Sequence, residues 1–546
     1  MAEEYDDDLE EGGSEVEVTG AAQSLDDLTI EDYMALAPKE GRESFMLTRF
    51  PVEMDEFRKM SAEAEELESD EAALEVDTLS DDGPDEDADP LVVDTESEID
   101  APEEALFTEE TGPEVLAPPM TASFEGIRAT GWQPPDCTIG VSASDVLLAV
   151  NVDLAGYRKN GTLRFRWPNM NTLFRNVLPS GVGLFDPRII YDHYERKWCV
   201  VAAARGSNPN RSYLMVAVSR SSDPRGSYWV YRLDATRNGN RPTNNWADYP
   251  MLGFDTQCFY IVSNMFRFGG GFQYCKLRIL LKSQLYGGQP VTWYDFWNLK
   301  NPGGGTAFTI QPCTHFRGKG GNPPAYMVNA IWPRGNSLTL WTITNPAGYW
   351  RGSRPRLSKN KVSCRSYDLP PDALQRGSST KIETNDSRLL NAMYQFVGGT
   401  RRVWTCQTSR ISWSGDSAAR SCVQWYEIDV GNKRVFQQNR YGASGKYYFF
   451  PAIHTDLRRN AYVVFGRSSA SAYASLRRTG RRVSDPRNDL QNSALVKAGE
   501  SPYTGGRWGD YFGICRDGGD ARRVWGYGQY AESGGRWGTW VCSMKF

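Results

Sequence analysis

The sequence has few of the residues and runs that mark common classes of enzyme and membrane protein. Only 3 of its 546 residues are histidine, and neither a Cys-x-x-Cys pair nor a His-Glu-x-x-His motif is present. This argues against a zinc site and against serine or cysteine catalysis. No run approaches the roughly 18 apolar residues of a membrane span. The first 30 residues do not resemble a secretory signal, so we expect a soluble chain without one, unless a signal was removed.

Long amphipathic helices are also absent after residue 120, which excludes the strand–helix alternation of Rossmann and TIM-barrel enzymes. In their place stand short apolar runs separated by Gly, Asn, Asp or Pro turns, such as KWCVVAAARG, SYLMVAVSRS and SLTLWTIT. These runs are too short and too rich in β-branched residues for helices. The pattern predicts an all-β domain over residues 121–546.

Charge divides the chain into two parts. Residues 1–120 contain 41 of the 68 acidic side chains and 5 of the 61 basic ones, so their net charge is −36 and the remainder carries +29. Such an acidic segment cannot bury enough apolar area to offset chain entropy, and residues 1–120 are predicted to be a mostly disordered arm. The segments from Ser24 to Leu36 and from Phe45 to Phe57 are candidates for short docking motifs, or for transient structure in a solvated tail.

One pattern returns through the predicted β domain: a polar residue, often beside proline, leads into a short apolar run that ends at a polar turn. Its instances include GLFDPRIIYD, WADYPMLGFD, YFFPAIHTD and WGDYFGICRD, with TIGVSASDVLLAVN as a weaker first one. A unit of this length with several short strands is typical of one β-propeller blade. Seven instances predict a seven-bladed β-propeller, with six blades as the alternative, closed by pairing of its N- and C-terminal strands. The leading positions lie 62, 63, 75, 65 and 59 residues apart: Asp186, Asp248, Gln311, Asp386, Pro451 and Asp510.

Several segments carry a resemblance to a known group of proteins. DPRIIYD, VAVSRSSDPRGSYWVY, DYPMLGFD, NDSRLL, RWGDYFG and GQYAESGGRWGTW together resemble uncharacterised β-propeller proteins, most of them bacterial and secreted. The turn SSDPRGSYW is similar to the Asp-box turn of sialidase-like propellers, although its glycine falls one place later. The resemblance implies blade architecture and favours an extracellular or particle-associated location, and it implies no particular activity.

Inner strands of a propeller line its central channel, so the leading residues are expected to gather at one mouth of that channel. Carboxylates there have three interpretations: the acid and base of a carbohydrate-active hydrolase, ligands of Ca²⁺, or caps of their own strands. The structural role is favoured because the residue type recurs from blade to blade. The alternative catalytic residues are Asp186, Asp248, Asp386 and Asp510. The candidate binding residues are Asp186, Arg188, Asp248, Tyr249, His315, Asp386, Arg388, Asp510 and Tyr511, with His454 close by.

Sialidase chemistry is a narrower version of the hydrolase interpretation. It needs three arginines on a substrate carboxylate and a tyrosine paired with a glutamate. Arg188, Arg388, Arg507 and Tyr511 supply the first residue types, but the sequence shows no matching glutamate.

All ten cysteines follow residue 136. Their spacing suggests three facing pairs, which would be either disulfides or packed thiols. The pairs are Cys406 with Cys422, Cys258 with Cys275, and Cys137 with Cys542.

The predicted function is a binding or assembly module without catalytic activity. After residue 120 the chain has 43 arginines and 13 lysines, which suits an anionic polymer, either polysaccharide or nucleic acid, or an acidic protein partner. The acidic arm would serve as a tether or as a tail that screens the basic domain. The alternative is a carbohydrate-active hydrolase that uses the carboxylates of the channel mouth. No cofactor is predicted apart from the Ca²⁺ alternative.

Overall fold

The computed structural model describes residues 117–167, 169–207, 209–316, 324–505 and 507–546, together with five short strands before residue 117. Those strands are Glu3–Glu4, Gly13–Ser14, Ala21–Gln23, Phe45–Met46 and Phe107–Glu109. The rest of the predicted acidic arm lies outside the described residues, as do both predicted docking segments apart from Phe45 and Met46.

Seven four-stranded antiparallel meanders follow one another in the described part of the chain. We number them as sheets 1 to 7. Their strands are Thr138–Val141, Asp145–Ala149, Leu154–Arg158 and Leu163–Trp167 in sheet 1; Gly183–Asp192, Lys197–Ser207, Asn210–Ser219 and Tyr228–Asp234 in sheet 2; Asn245–Phe254, Cys258–Arg267, Phe272–Leu281 and Trp293–Trp297 in sheet 3; Gln311–Pro312, Ala325–Ala330, Gly335–Thr344 and Arg356–Tyr367 in sheet 4; Leu389–Val397, Thr400–Ile411, Arg420–Asp429 and Arg434–Gly442 in sheet 5; Lys446–Thr455, Ala461–Ser469, Ala472–Arg481 and Ala494–Lys497 in sheet 6; and Gly513–Arg516, Val524–Glu532, Arg536–Met544 and Met120–Glu125 in sheet 7.

The remaining elements are short and lie in the connections. They are the strands Trp132–Gln133, Arg237–Asn238, Arg241–Pro242, Thr314–Phe316, Ala373–Gln375 and Ser378–Ile382, the helices Asn171–Phe174 and Lys282–Tyr286, and the 3-10 turn Tyr349–Arg351. None of the helices in the described residues has the length and apolar character needed to cross a membrane.

The first strands of the sheets stand side by side around a central channel. Thr314–Phe316 pairs in parallel with the end of the first strand of sheet 3 on one side and with the first strand of sheet 5 on the other. Sheets 2 and 1 are joined by a hydrogen bond, which the backbone amide of Ile189 donates to Thr138 Oγ1 at 3.0 Å. Apolar side chains, including Ile139, Ile190 and Ile514, line the middle of the channel. The chain is therefore an all-β propeller, as the sequence predicts.

An aspartate at the end of the first strand stabilises the following turn in four of the sheets. One carboxylate oxygen accepts two backbone N–H groups of the turn, and the other accepts a tyrosine hydroxyl or a tryptophan N–H. Replacing a buried carboxylate that accepts several hydrogen bonds lowers the free energy of unfolding, because its donors lose their acceptor. These turn aspartates, which carry the repeated structural role in the fold, are Asp192, Asp255, Asp456 and Asp517.

Apolar layers between neighbouring sheets form the core. A middle strand such as Lys197–Ser207 is buried over most of its length on both faces, because each face is covered by another sheet. This explains why KWCVVAAARG is a continuous apolar run and not an alternating one. Fully buried tryptophans, among them Trp198, Trp341 and Trp525, fill these layers with side chains that each bury about 150–250 Å².

Of the two alternatives for the facing cysteine pairs, the structure has packed thiols and not disulfides, because all ten cysteines are free and eight of them are buried. In the hairpin of sheet 5, Cys406 lies opposite Trp425, and Cys422 lies opposite Ser409. The turn is therefore centred beyond Ser414, and the two cysteines are out of register. In sheet 3 Cys258 lies opposite Leu281 and Cys275 opposite Asn264. Cys137 and Cys542 are packed thiols of one apolar cluster.

Sheet 7 takes its outer strand from the beginning of the described domain. Met120–Glu125 pairs antiparallel with Arg536–Met544, which places Glu125 opposite Trp540. Side chains reinforce the pairing, since Trp540 Nε1 donates to Ser123 Oγ at 2.7 Å. A sheet edge that would otherwise present unpaired backbone groups is thereby covered.

Candidate active site

The residues that lead into the first strands converge at one end of the channel, which we call the mouth. Six of them have left-handed backbone conformations with φ between 50° and 60°, a region that costs non-glycine residues free energy and often serves to aim side chains at a site. In sheets 2, 3 and 6 this position coincides with a break in the strand register. A β-bulge of this kind turns side chains out of the sheet. The six residues are Asp136, Asp186, Tyr249, Thr309, Asn385 and Phe450.

Three buried carboxylates from three sheets meet at the mouth. One oxygen each of Asp136, Asp186 and Asp510 lies within 4.8 Å of the others. The fold holds them in place through backbone amides, because the amide of Asp510 donates to Asp136 Oδ1 at 2.9 Å and that of Tyr249 donates to Asp186 Oδ2 at 3.1 Å. Asn151 Nδ2 also donates to Asp136 Oδ2 at 2.6 Å. The carboxylates of Asp136 and Asp186 therefore each join their own sheet to a neighbouring one.

Crowding keeps several of these acids from ionising easily. Burial, followed by the negative charge of Asp510, raises the pKa of Asp186 to about 6. Burial and the negative charges of Asp510 and Asp186 raise the pKa of Asp136 well above its usual range. Asp248 is half-buried at the edge of this cluster, and burial with the charges of Asp186 and Asp510 raises its pKa well above the ordinary value as well. Burial and mutual repulsion therefore favour the protonated forms of the carboxyl groups at the mouth.

Arg188 and two tyrosines form one wall of the mouth. The guanidinium carbon of Arg188 lies 3.3 Å from the ring centre of Tyr511 and 5.0 Å from that of Tyr249. Its Nε donates to the carbonyl of Pro250 at 2.9 Å, and the Tyr511 hydroxyl donates to the carbonyl of Pro187 at 2.8 Å. A planar cation stacked on aromatic rings is held in a fixed orientation.

Asp386 does not join the carboxylate cluster. Its two oxygens accept both Arg388 Nε, at 2.7 Å, and Arg388 Nη2, at 2.8 Å, and Trp332 Nε1 donates to the same carboxylate at 3.0 Å. The Arg388 guanidinium lies 5.0 Å from the ring centres of Tyr249 and Phe308. Asp386 therefore positions Arg388 at the mouth.

A glutamate missing from the sequence-based analysis lies beside the third arginine. Arg507 Nη2 is 2.5 Å from Asp510 Oδ1, and Arg507 Nε is 3.6 Å from Glu383 Oε2. Asn385 Nδ2 donates to the same Asp510 oxygen at 3.0 Å. Burial raises the pKa of Glu383, and Arg507 partly opposes that shift. Glu383 precedes Asp386 by three residues, so a closer inspection of IETNDSRLL would have revealed it.

Asp136 was also missed, although the signal was present. The first instance of the repeat was read from Thr138, whereas the acidic residue beside proline stands two positions earlier, in PPDC. Asp136 occupies the same left-handed position as Asp186. The first instance of the repeat therefore has a leading aspartate beside proline, as the second instance does.

The histidines predicted to lie near the mouth are at the opposite end of the channel. His315, His454 and His193, the three histidines of the chain, line one cavity of about 70 Å³ together with Arg516. A strand advances roughly 3.3 Å per residue, so His315 is about 13 Å beyond Gln311 along its strand. We call the three residues the channel histidines; burial lowers the pKa of His193 to about 2 and the pKa of both others to about 4.

The three clustered carboxylates are poorly suited to Ca²⁺. Backbone and side-chain N–H groups already occupy oxygens of Asp136, Asp186 and Asp510. Arg507 adds a positive charge 2.5 Å from Asp510. A calcium ion needs six to eight free oxygen ligands, which this arrangement does not offer. Acid–base chemistry by carboxyl groups, in contrast, needs no cofactor.

Comparison with known proteins gives no family model that matches the sequence and no match among curated proteins. Solved structures with a similar chain path include the GH93 α-L-arabinofuranosidase of Fusarium graminearum in complex with arabinobiose, at 9% identity and a TM-score of 0.35, covering 78% of this chain and 98% of that one. A Dyadobacter fermentans protein of unknown function has 10% identity and a TM-score of 0.37, with 78% and 99% covered. Trypanosoma rangeli sialidase with sialic acid has 12% identity and a TM-score of 0.33, with 79% and 59% covered. Similarity this low assigns neither activity nor substrate.

The sequence-based interpretation of the chain as a non-enzymatic binding or assembly module is wrong. It depended on assigning the repeated structural role to the leading carboxylates, and that role belongs to the turn aspartates. The leading carboxylates form instead a crowded cluster with raised pKa values beside arginines and tyrosines. The hydrolase alternative is therefore retained.

Proposed function

We propose that the chain is a glycoside hydrolase that cleaves its substrate at the mouth of the propeller channel. The observation that supports this most directly is the set of carboxyl groups at the mouth, whose surroundings push them towards different protonation states. Glycoside cleavage requires such a pair, one carboxyl group to donate a proton and one carboxylate to attack or to activate water.

Asp248 is the proposed proton donor. It is half-buried, so a substrate can reach it, and the neighbouring Asp186 and Asp510, together with burial, keep its pKa high. In the first step its proton passes to the glycosidic oxygen as the bond from that oxygen to the anomeric carbon breaks. The leaving group departs as a neutral alcohol, and Asp248 is left as a carboxylate.

Asp510 is the proposed second carboxylate. It accepts hydrogen bonds from Arg507 at 2.5 Å and from Asn385 at 3.0 Å, which hold the carboxylate in a fixed orientation. It would stabilise the positive charge that develops on the anomeric carbon, either by direct attack or by taking a proton from an attacking water.

The arginines of the mouth are the proposed substrate-positioning groups, and the buried rings of Tyr249 and Tyr511 hold Arg188 in place. Arg188 and Arg388 are fixed by stacking and by ion pairing, so their remaining N–H groups point in set directions. Planar guanidinium groups suit sugar hydroxyl and carboxylate oxygens. Arg507 is the third arginine of this set, and Glu383, the glutamate missed in the sequence, lies beside it at 3.6 Å.

We also propose that the seven meanders are seven blades of one closed ring over residues 121–546, preceded by an acidic arm over residues 1–120. The pairing of Met120–Glu125 with Arg536–Met544 supports closure. The bacterial and secreted character implied by the sequence resemblance belongs to this proposal too. Class averages from electron microscopy of the purified protein would count the blades directly, and six-fold averages would contradict the proposal.

The activity is tested with a panel of chromogenic glycosides, beginning with an α-L-arabinofuranoside and a sialoside because those sugars are named for the similar structures. Asp248→Asn and Asp510→Asn should each lower turnover by roughly 10²- to 10⁴-fold. Asp520→Asn is the matched control, because Asp520 is a half-buried aspartate beyond the far end of the same strand. Equal losses in all three variants, or turnover unaffected by the first two, would refute the assignment.

A further inference from the structure

A basic groove opens between sheets 4 and 5 on the side of the mouth. It encloses about 610 Å³, and three arginines and three small polar residues account for most of its walls. These groove residues are Arg334, Asn336, Ser366, Arg410, Ser412 and Arg440.

The charge in the groove is unbalanced. Asp368 is the acidic residue in its wall, and its Oδ1 lies 3.5 Å from Arg334 Nε. Both side chains are largely in solvent, with 70% of Arg334 and 45% of Asp368 exposed, so this pair is weak. Arg440 Nη2 donates to Ser366 Oγ at 3.1 Å, which fixes the guanidinium against the wall. The residues that line the groove therefore include three arginines and one partly exposed carboxylate.

The groove is connected to the mouth through a short rigid segment. Arg334 follows Trp332 by two residues, and Trp332 Nε1 donates to Asp386, the residue that holds Arg388 at the mouth. The Trp332 ring packs on Phe308 at 5.6 Å between ring centres. Ser387 Oγ donates to the carbonyl of Pro333, which closes the segment onto sheet 5. The groove therefore lies next to the segment that holds Asp386 and Arg388 at the mouth.

We infer that the groove binds the acidic groups of a glycan, and hence that the substrate is an oligosaccharide carrying carboxylates or sulfates. This inference rests on the proposed hydrolase function. Guanidinium groups bind both kinds of acidic group through paired hydrogen bonds. The groove is less suited to nucleic acid, because its one aromatic residue, Tyr367, is buried and donates its hydroxyl to Ser337. It thus offers no exposed ring on which a base could stack.

The test measures binding to the full chain by titration calorimetry at low salt. The ligands are a hexagalacturonate, a heparin hexasaccharide, the neutral maltohexaose and a single-stranded DNA hexamer. The variant R334Q/R410Q should bind the preferred acidic hexasaccharide at least tenfold more weakly than the unaltered chain. The control R522Q/R536Q removes the same charge at two exposed positions of sheet 7 and should change affinity less than twofold. Comparison of the first two ligands decides between carboxylate and sulfate.

Three results would overturn the inference: equal weakening in both double variants, no binding of either acidic glycan, or tighter binding of the DNA than of both. The proposed hydrolase function fails separately. If no glycoside is cleaved but R334Q/R410Q still weakens glycan binding selectively, the groove keeps its ligand class and the catalytic assignment is lost. If glycosides are cleaved and R334Q/R410Q binds acidic glycans as the unaltered chain does, the catalytic assignment stands and the groove inference fails.

Discussion

Replacing Asp186 by asparagine should stabilise the protein at alkaline pH. The amide is nearly isosteric with the carboxylate, so its oxygen can still accept the backbone N–H of Tyr249 and its Nδ2 can donate to Asp136. What disappears is a buried negative charge close to Asp510. Active sites commonly hold such destabilising groups for the sake of function.

The size of the effect follows from the pKa of Asp186. The folded protein raises it from 3.8 to about 6, and one pKa unit corresponds to 1.36 kcal/mol, so the ionised group costs about 3 kcal/mol. The folded pKa is above the unfolded one, so this cost is present in full above about pH 6. It fades as the pH falls towards 4, where Asp186 is protonated in both states. The variant should therefore gain about 2–3 kcal/mol at pH 8 and much less at pH 4.

Urea denaturation at pH 8 and pH 4.5, followed by tryptophan fluorescence, measures both values. Asp517→Asn serves as a contrast, because Asp517 accepts two backbone N–H groups and the Trp525 indole N–H, and an amide cannot accept all of them. The same chemical change should there lower stability at both pH values. If Asp186→Asn is less stable than the unaltered chain at pH 8, the carboxylate supports the fold and our reasoning about the mouth is refuted.

Three further predictions concern the rest of the molecule. Asp517→Ala should lower the free energy of unfolding by several kcal/mol, since two backbone N–H groups and the Trp525 indole N–H lose their acceptor. Asp520→Ala should lower it by less than about 1 kcal/mol. Similar losses would contradict the role of the turn aspartates. The channel histidines should show no titration above pH 5 by proton NMR, and a histidine that titrates near pH 6.5 would disprove their burial. Their pKa values are lower in the folded than in the unfolded protein, so the free energy of unfolding should fall as the pH drops from 6.5 to 4. The fall should be about 3 kcal/mol for each of the two histidines with a pKa of about 4. Removal of residues 1–118, with a net charge near −36 by sequence, should increase retention on heparin at low salt, and unchanged retention would exclude self-screening by the arm.

The strand pattern was predictable because the interactions that create it are local. GLFDPRIIYD contains an apolar run, a bulge beside proline and a final aspartate, and each part acts within its own strand or turn. The sequence-based analysis nevertheless assigned the repeated structural role to the wrong end of the run. The leading positions vary, with Gln311 and Pro451 among them, whereas the final aspartate recurs and satisfies the same turn amides each time.

The site was less predictable because its contacts cross sheets. The amide of Asp510 bonds to Asp136 across 374 residues of sequence, and no spacing rule connects the two. Glu383 becomes relevant only through its distance to Arg507. The histidines were misplaced for the opposite reason: they lie close to the leading residues in sequence, but an extended strand carries them to the other end of the channel.

The pairing of Met120–Glu125 with Arg536–Met544 also has a consequence for how the protein is made. About 415 residues separate Glu125 from its partner Trp540. At a synthesis rate of about 5–20 residues per second, the first strand leaves the ribosome roughly 20–80 s before its partner exists. Bringing such distant segments together costs on the order of 5 kcal/mol in chain entropy, so the six earlier sheets must assemble first to hold the ends close. Until the last residues are released, the nascent chain is an open arc, and any premature stop leaves it in that state.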